Sequence, residues 1–294
     1  FITHPIQYLS PLFRKLSKNN EINLTVYYFS DETVGEFKEK DLGLIQWDID
    51  LLGGYRYKFI KNNSYLPSIL NVPFGLVNFG IIKELKNNNY DFIVTQGWNY
   101  MSHWIVFLTS FMLKIPLLLR VETPLNQELL KDKKKLFIKK IILKPLLKRI
   151  SMFLAIGRQN SDFFKFHGVP DKKIIFSPYA IDNNFFRSRY IKLKDEKEEL
   201  KRQYKLNKYK NIVLFVGKLI IKKNPLDLIK AFQKITDKNS CLILVGEGNL
   251  RKGLEQYVRN NNISNIFFIG FVNQGELPNF YAMADLFVLP SGLG

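Results

Sequence analysis

The sequence predicts an α/β fold in which helices cover both faces of parallel sheets, and the pattern occurs twice along 294 residues. In the last third, continuous apolar runs alternate with helical periodicity; the runs are residues 211–216, 241–245, 266–269 and 286–289. Strands that are apolar on both faces belong to sheets covered on both sides. Because the length exceeds one typical domain, we expect two domains, residues 1–182 and 183–294, the second one incomplete.

The four strands of the second predicted domain end at a glycine or proline: Gly217, Gly246, Gly270 and Pro290. The carboxyl ends of parallel strands meet at one edge of a sheet, where glycine lets backbone approach a phosphate and helix N-termini attract anions. Asn224-Pro225 predicts the start of a helix that runs to about residue 237. Further helices are expected at residues 249–259 and 276–283.

The first predicted domain repeats this scheme less regularly, with strands expected at residues 24–29, 92–95, 117–121, 152–156 and 174–176. Ser10-Pro11 predicts a helix start. Residues 4–8 therefore form the loop between an initial strand and the first helix, again at the functional edge of the sheet. Residues 192–205 carry a dense mixture of charges that is typical of a solvated helix just inside the second domain.

Composition narrows the class of protein. An apolar fraction of 46% indicates a packed globular chain. Cys241 has no second cysteine to pair with, so a reducing compartment, the cytoplasm, is expected. The formal charge of +18 has two interpretations: a lysine-rich bias spread over solvated faces, or attraction to an anionic partner such as a membrane, a nucleic acid or a phosphorylated substrate.

The positive charge is densest in residues 131–149, which hold nine Lys or Arg, one acidic residue and many interleaved apolar residues. This pattern predicts a basic amphipathic helix that lies on an anionic bilayer, bent or restarted at Pro145. The alternative is a helix whose apolar stripe faces its own core. Residues 104–119 are the longest apolar stretch, but Lys114 and Pro116 interrupt it and it is too short to span a membrane. We therefore expect a peripheral protein on the inner face of the membrane.

Four motifs of the last third occur in a recognisable order: VGKLIIKKNP at 216–225, VGEG at 245–248, FIGFV at 268–272 and YAMADLFVLPS at 281–291. They resemble the donor half of glycosyltransferase family 4, which has the GT-B fold of two Rossmann-like domains. In the first half, THPIQY at 3–8 and SPYAID at 177–182 are similar to that family more diffusely. The resemblance covers nearly the whole chain, and four ordered motifs are far more specific than one glycine motif.

The resemblance implies transfer of a sugar from a UDP- or GDP-linked donor with retention of configuration, without a metal or other cofactor. The family places a basic pair on the loop after the first donor-domain strand, and here Lys218 and Lys223 hold these positions. Cations stabilise charge that develops on the leaving diphosphate; lysine keeps the charge of the family's usual arginine without its bidentate fork. The alternative is two solvated loop lysines. The remaining expected donor-binding residues are Gly217, Gly246, Glu247, Gly248, Phe271, Val272 and Ser291.

The family's paired acidic residues, Glu-x7-Glu, begin just after the Pro-Ser loop, whereas this sequence stops at Gly294. It also opens without Met, at an apparent strand-to-loop transition over residues 1–5. We therefore expect a stretch truncated at both ends, which is inactive by itself, and a gene that continues with the two glutamates.

Acceptor binding is expected of His4, Tyr8, Arg120 and Glu122 in the first domain. Glu122 stands where the resembling family often has a histidine facing the sugars, and an Arg120–Glu122 structural ion pair is the alternative. His103 is expected to be a satisfied core histidine and His167 to cap a surface turn. No cluster of His and Cys with metal-ligand spacing is visible.

These observations favour a retaining glycosyltransferase that moves a hexose-type sugar to a saccharide or lipid-linked acceptor in cell-surface polysaccharide synthesis. One alternative enzyme is a nucleotide-sugar 2-epimerase, which shares the fold but lacks the basic pair and Pro-Ser pattern. A non-enzymatic alternative is a nucleic-acid-binding protein, suggested by charge alone. No reader module or exposed basic–aromatic sheet supports it, so no nucleic-acid partner is expected.

Overall fold

A computed structural model describes residues 1–39 and 41–292. The chain divides into two compact units, Phe1–Val34 with Asp50–Ile181, and Gly35–Ile49 with Asp182–Gly294. The segment 35–49, which the sequence analysis included in residues 1–182, is thus grouped with the second unit. The contacts that place this segment in the second unit join it to residues 177 or more positions further along the chain. Contacts at such separations leave no sign in the local sequence pattern, so the sequence analysis kept the segment with the first half.

The strands of the described residues are β1 Thr25–Tyr28, β2 Phe37–Glu39, β3 Gly43–Ile45, β4 Arg56–Phe59, β5 Ile93–Gln96, β6 Leu117–Arg120, β7 Met152–Ala155, β8 Ile174–Phe176, β9 Asn211–Val216, β10 Ser240–Val245, β11 Ile266–Gly270 and β12 Leu286–Phe287. The α-helices are α1 Ser10–Ser17, α2 Gly80–Asn87, α3 Met101–Met112, α4 Leu125–Leu129, α5 Lys133–Arg149, α6 Arg158–Phe166, α7 Asn183–Leu193, α8 Lys197–Gln203, α9 Pro225–Gln233, α10 Arg251–Asn260 and α11 Leu277–Met283. Alternating strands and helices confirm the predicted α/β class.

In the first unit, the opening residues join two groups of parallel strands. Ile2 N donates to Tyr27 O at 2.9 Å, and Gln96 N donates to Phe1 O at 3.2 Å. Residues 1–3 therefore run between β1 and β5, and the strand order is β4, β1, residues 1–3, β5, β6, β7, β8. The order reverses between residues 1–3 and β5. Open α/β sheets bind ligands beyond the carboxyl ends of the strands at such a reversal.

The second unit has the parallel order β11, β10, β9, β12, so its reversal lies between β9 and β12. Both faces of β9 are buried: Ile212 and Leu214 belong to one apolar cluster, and Val213 and Phe215 belong to another. This two-sided burial is why β9 reads as a continuous apolar run. The strands β2 and β3, which form an antiparallel hairpin, belong to this unit too.

The basic segment forms one helix, α5. The Asp132 carboxylate accepts from the backbone N–H groups of Lys134 and Lys135 and caps its N-terminus. Pro145 lies inside α5 without ending it. Among the described residues, no helix combines the length and the apolar character needed to cross a membrane. The mixed-charge segment 192–205 is not one helix but the end of α7, a short 3₁₀ turn and α8.

Candidate functional site

The loops that follow β9 and β10 are packed backbone against backbone. Gly217 N donates to Val245 O at 2.9 Å, and Leu219 N donates to Glu247 O at 2.8 Å. Gly246 has φ +134°, and a Cβ there would lie 2.0 Å from Gly217 O. A Cβ on Gly248 would lie 2.4 Å from Leu219 O. Only glycine fits these two positions, so the VGEG motif holds the two loops together at the carboxyl edge of the sheet.

Lys218, one of the two expected catalytic lysines, lies on the loop after β9 and makes two ion pairs. Its Nζ is 2.6 Å from Glu39 Oε1 and 2.9 Å from Asp41 Oδ2, both on the β2–β3 hairpin. Burial disfavours the ammonium form, but the two carboxylates outweigh it, and the pKa of Lys218 is raised above its usual value. Lys218 is therefore a firmly charged group whose side chain is 36% exposed.

Lys223, the other expected catalytic lysine, lies on the loop after β9 and contacts the loop after β12, on the other side of the strand-order reversal. Its Nζ donates to Ser291 Oγ at 3.4 Å, on the loop after β12. The adjacent Asn224 donates from Nδ2 to Pro290 O at 3.0 Å, and its backbone is left-handed, with φ +47°. The structure thus brings Lys223 and Ser291 together from opposite sides of the reversal. The ion pairs formed among the described residues do not include Lys223.

The other expected donor-binding residues have identifiable partners in the second unit. Glu247 forms an ion pair with Arg251 on α10, which also bonds Glu255 Oε1 at 2.8 Å. Phe271 contacts Trp47 of the segment 35–49 edge-on, with ring centroids 5.9 Å apart. Val272 packs against the apolar cluster on one face of the sheet. Phe271 thus links the loop after β11 to the segment 35–49.

At the corresponding edge of the first unit, the structure gathers Tyr8, Gln96, Arg120, Glu122 and Tyr179. Gln96 Nε2 donates to Glu122 Oε1 at 2.8 Å. The Tyr8 and Tyr179 rings meet edge-on at 5.6 Å, and the Arg120 guanidinium lies 5.2 Å from the Tyr179 ring centroid. Burial, and then the charge of Glu122, raises the pKa of Tyr8 to about 12. This cluster combines hydroxyl, amide and carboxylate groups with an aromatic wall, which suits sugar hydroxyls.

Arg120 is 8% exposed and donates from a terminal guanidinium nitrogen to Ser177 O at 3.2 Å. The ion pairs found among residues 1–39 and 41–292 do not include one between Arg120 and Glu122, so that alternative is wrong. Glu122 bonds Gln96 instead. Its carboxylate thus keeps acceptor sites that a tight ion pair to arginine would fill.

His4 stands apart from this cluster. Thr3 Oγ1 and His4 Nδ1 are 3.0 Å apart, and in the described part of the chain no hydrogen bond joins His4 to Tyr8, Arg120 or Glu122. Burial lowers the pKa of His4 to about 4, which makes the ring neutral at pH 7. His4 is therefore a neutral donor or acceptor at the loop after the opening strand.

For the two remaining histidines, the prediction for His103 is confirmed and the prediction for His167 is wrong. His103 is a buried core residue whose Nε2 lies 2.8 Å from Gln96 O, as expected. His167 does follow the last turn of α6, but it is 4% exposed, with its ring against Phe163 at 4.7 Å and Phe166 at 5.2 Å. The predicted surface turn is wrong because these aromatic rings and Glu128, 3.7 Å away, enclose it.

Sequence reasoning missed Gln96, Tyr179 and the hairpin carboxylates. Gln96 had a weak signal, since it ends an apolar strand at the functional edge. Tyr179 belongs to the SPYAID segment, for which the sequence indicated only a diffuse similarity to the family. No group of three or more His, Cys, Asp or Glu capable of holding a metal ion occurs in the described part of the chain.

The two parallel sheets, each with its strand-order reversal, define the GT-B type of α/β fold with two Rossmann-like units. Residues 196–293, about a third of the chain, match the family model described as Glycosyl transferases group 1. An uncharacterized glycosyltransferase of Methanocaldococcus jannaschii is 33% identical over 99 residues, which cover 33% of this chain and 25% of that protein. The family match is thus confined to the second unit, and the chain spans only a quarter of the length of the curated relative that it matches.

Solved structures are similar in fold over nearly the whole chain. Anabaena HepE, solved with UDP and glucose, has 17% identity and a TM-score of 0.65, and the alignment covers 99% of this chain and 74% of HepE. WaaG, a glycosyltransferase involved in lipopolysaccharide biosynthesis, has 15% identity and a TM-score of 0.60, covering 99% and 75%. The UDP-GlcNAc 2-epimerase of Neisseria meningitidis has 14% identity and a TM-score of 0.54, covering 97% and 76%. The GT-B fold is thereby confirmed.

Proposed function

We propose that this protein is a retaining glycosyltransferase that moves a hexose-type sugar from a UDP- or GDP-linked donor to a saccharide or lipid-linked acceptor, in the synthesis of a cell-surface polysaccharide. The observation that carries the proposal is the edge of the second unit. There the glycine-only packing of the β9 and β10 loops sets Lys218 on one loop, and Lys223 faces Ser291 across the reversal. The matched family model covers this same unit. HepE, solved with UDP and UDP-glucose, supports a nucleotide-sugar donor.

The chemistry follows from where charge develops. When the bond between sugar and diphosphate breaks, negative charge grows on the leaving phosphate oxygens. Lys218 and Lys223 supply fixed positive charge at that edge, and preorganised charges of this kind stabilise a transition state more than a ground state. At the first unit, Glu122, Gln96 and Tyr8 offer acceptors and donors for the hydroxyl groups of the incoming saccharide.

The lipid-linked acceptor is supported by the outer face of α5. Leu143, Leu146 and Leu147 of α5 are buried, whereas four other apolar side chains are each more than half exposed: Phe137, Ile138, Ile141 and Ile142. Lysines surround these exposed groups, an arrangement that suits the interface of an anionic bilayer. A groove of about 310 Å³ lies between α5 and Trp98, and its lining is mainly apolar. Trp98 lies two residues after Gln96 of the acceptor cluster.

Replacement of single lysines tests the proposal. In the full-length protein, Lys218→Ala and Lys223→Ala are each expected to lower kcat/KM for sugar transfer, by about 2–4 kcal/mol of transition-state stabilisation. Lys222→Ala is the matched control, because Lys222 is an exposed lysine on the same loop and should leave the rate unchanged. Wild-type turnover by both Ala variants would contradict the assignment of the diphosphate site.

A nucleotide-sugar 2-epimerase is the second candidate, since the Neisseria epimerase shares the fold. The two reactions differ in their need for an acceptor. An epimerase converts its UDP-sugar alone, whereas a glycosyltransferase releases the nucleoside diphosphate in step with acceptor consumption. An assay of UDP-GlcNAc with and without a saccharide acceptor therefore separates the two.

A further inference from the structure

The segment 35–49 lies across the loops that we assign to the donor. Besides the ion pairs from the β2–β3 hairpin to Lys218, it makes contacts with the loop after β11. Asn273 Nδ2 donates to Gln46 O at 2.6 Å, and Gly275 N donates to Asp48 Oδ2 at 2.8 Å. Trp47 packs against Phe271 between these contacts. Two loops with expected donor-binding residues are therefore both held by one short segment.

The carboxylate of Glu39 is fixed at both of its oxygens. Oε1 accepts from Lys218 Nζ at 2.6 Å, and Oε2 accepts from the backbone N–H groups of Asp41 at 2.7 Å and Leu42 at 2.8 Å. The hairpin turn thus orients Glu39 toward the lysine, and Asp41 from the same turn adds the second carboxylate at 2.9 Å. Two anionic groups then occupy two of the three N–H donors of the Lys218 ammonium.

We propose that Glu39 and Asp41 occupy the place of the donor diphosphate on Lys218 and are displaced when the donor binds. This inference rests on the proposed function. A diphosphate brings its own negative charge to the same ammonium, and like charges at such distances repel strongly. The carboxylates and the diphosphate therefore compete for Lys218, and only a ligand with enough negative charge displaces the hairpin.

Competition of this kind discriminates among ligands by their phosphates. A nucleoside without phosphate makes no use of Lys218, so its affinity should not depend on Glu39 or Asp41. UDP or GDP must release two partly exposed ion pairs, each of which has a modest net strength. Removing both carboxylate charges should therefore tighten binding of UDP or GDP by roughly 3- to 30-fold and leave uridine or guanosine binding unchanged.

Titration calorimetry on the full-length protein with UDP, GDP, uridine and guanosine tests the inference. The test variant is Glu39→Gln with Asp41→Asn. The control is Asp31→Asn with Glu36→Gln, which removes two exposed carboxylates close in sequence to the hairpin that make no ion pair among the described residues. The test variant should gain affinity for UDP or GDP only, and the control should match the wild type. Adding Lys218→Ala should abolish the gain.

Asp41→Asn alone keeps the backbone contacts of Glu39 and should give a smaller gain, so it serves if the double variant is unstable. Unchanged or weaker diphosphate binding in the test variants would overturn the inference. If Lys218→Ala weakens UDP or GDP binding while the carboxylate variants change nothing, the inference alone fails. If Lys218→Ala binds both nucleotides like the wild type, or no variant binds either, the donor site itself is misassigned and the inference fails with it.

Discussion

Replacement of Gly248 by alanine should disrupt the candidate donor edge, because the three nearest atoms to an added Cβ are all backbone atoms of Leu219. A Cβ at this position would lie 2.4 Å from the oxygen, 2.6 Å from the carbon and 2.8 Å from the nitrogen of Leu219. The shortest of these distances is about 1 Å inside ordinary van der Waals contact. No side-chain rotation relieves a clash with backbone, so the loops after β9 and β10 must separate.

The loss of stability in Gly248→Ala can be estimated from the hydrogen bonds that break when the loops after β9 and β10 move apart. Leu219 N donates to Glu247 O at 2.8 Å, and Leu250 N donates to Leu219 O at 3.0 Å. Each hydrogen bond contributes about 1 kcal/mol net, and overpacking a fitted site costs about 1–3 kcal/mol. We expect Gly248→Ala to lower the free energy of unfolding by about 3–5 kcal/mol and to weaken UDP or GDP binding more than tenfold.

Gly253→Ala is the matched control. Gly253 lies in α10, and nothing lies within 4 Å of a Cβ built there. Alanine in a helix interior is more favourable than glycine by about 0.5–1 kcal/mol, so this variant should gain stability. Urea unfolding gives both free energies, and calorimetry gives nucleotide binding. A Gly248→Ala protein that equals the wild type in stability and nucleotide affinity would refute the packing argument.

Two further predictions concern α5 and Asp285. Replacing the exposed Lys133, Lys134, Lys140 and Lys144 by Gln should abolish sedimentation with anionic vesicles, since each lysine near the surface contributes about 1 kcal/mol. Lys139 is left intact because it pairs with buried Glu128 at 2.6 Å, and unchanged sedimentation would remove the membrane proposal. Despite partial burial, Lys197 and the Ile212 N–H hold the pKa of Asp285 below its usual value. The stabilisation from the charged carboxylate is therefore present at neutral pH and is lost as the pH falls through the lowered pKa of the folded protein. Asp285→Asn should therefore lower the free energy of unfolding at pH 7 by about 1 kcal/mol, seen as a lower urea midpoint, and the difference between wild type and variant should shrink in acid. A stability difference that does not depend on pH would contradict this prediction.

The strands β9 and β10 could be predicted to within one residue because both of their faces are buried. Asn211–Val216 is an apolar run between an exposed Asn and a glycine, and the observed strand has the same bounds. Helix ends were less accurate. The helix that begins at Pro225 ends at Gln233 rather than near residue 237, because residues 234–239 turn back before β10. Local sequence determines burial better than it determines where a helix stops.

Contacts between distant segments were beyond the sequence. Glu39 and Lys218 are 179 residues apart, and no periodicity in either segment indicates that they meet. The same holds for Tyr8 and Tyr179, whose rings line the candidate acceptor cluster. The resemblance identified Lys218, Glu122 and Tyr8 by position in a motif. It gave no partners for them, because partners depend on how the loops pack.

Acceptor dependence tests the central claim most directly. The full-length protein is incubated with UDP- and GDP-hexoses labelled in the sugar, with and without a lipid-linked saccharide extract, and both the label and the released nucleotide are followed. We predict that label moves to the acceptor, that UDP or GDP appears in equal amount, and that neither happens without acceptor or in Lys218→Ala with Lys223→Ala. Conversion of the sugar nucleotide without acceptor, or transfer that persists without both lysines, would contradict the account.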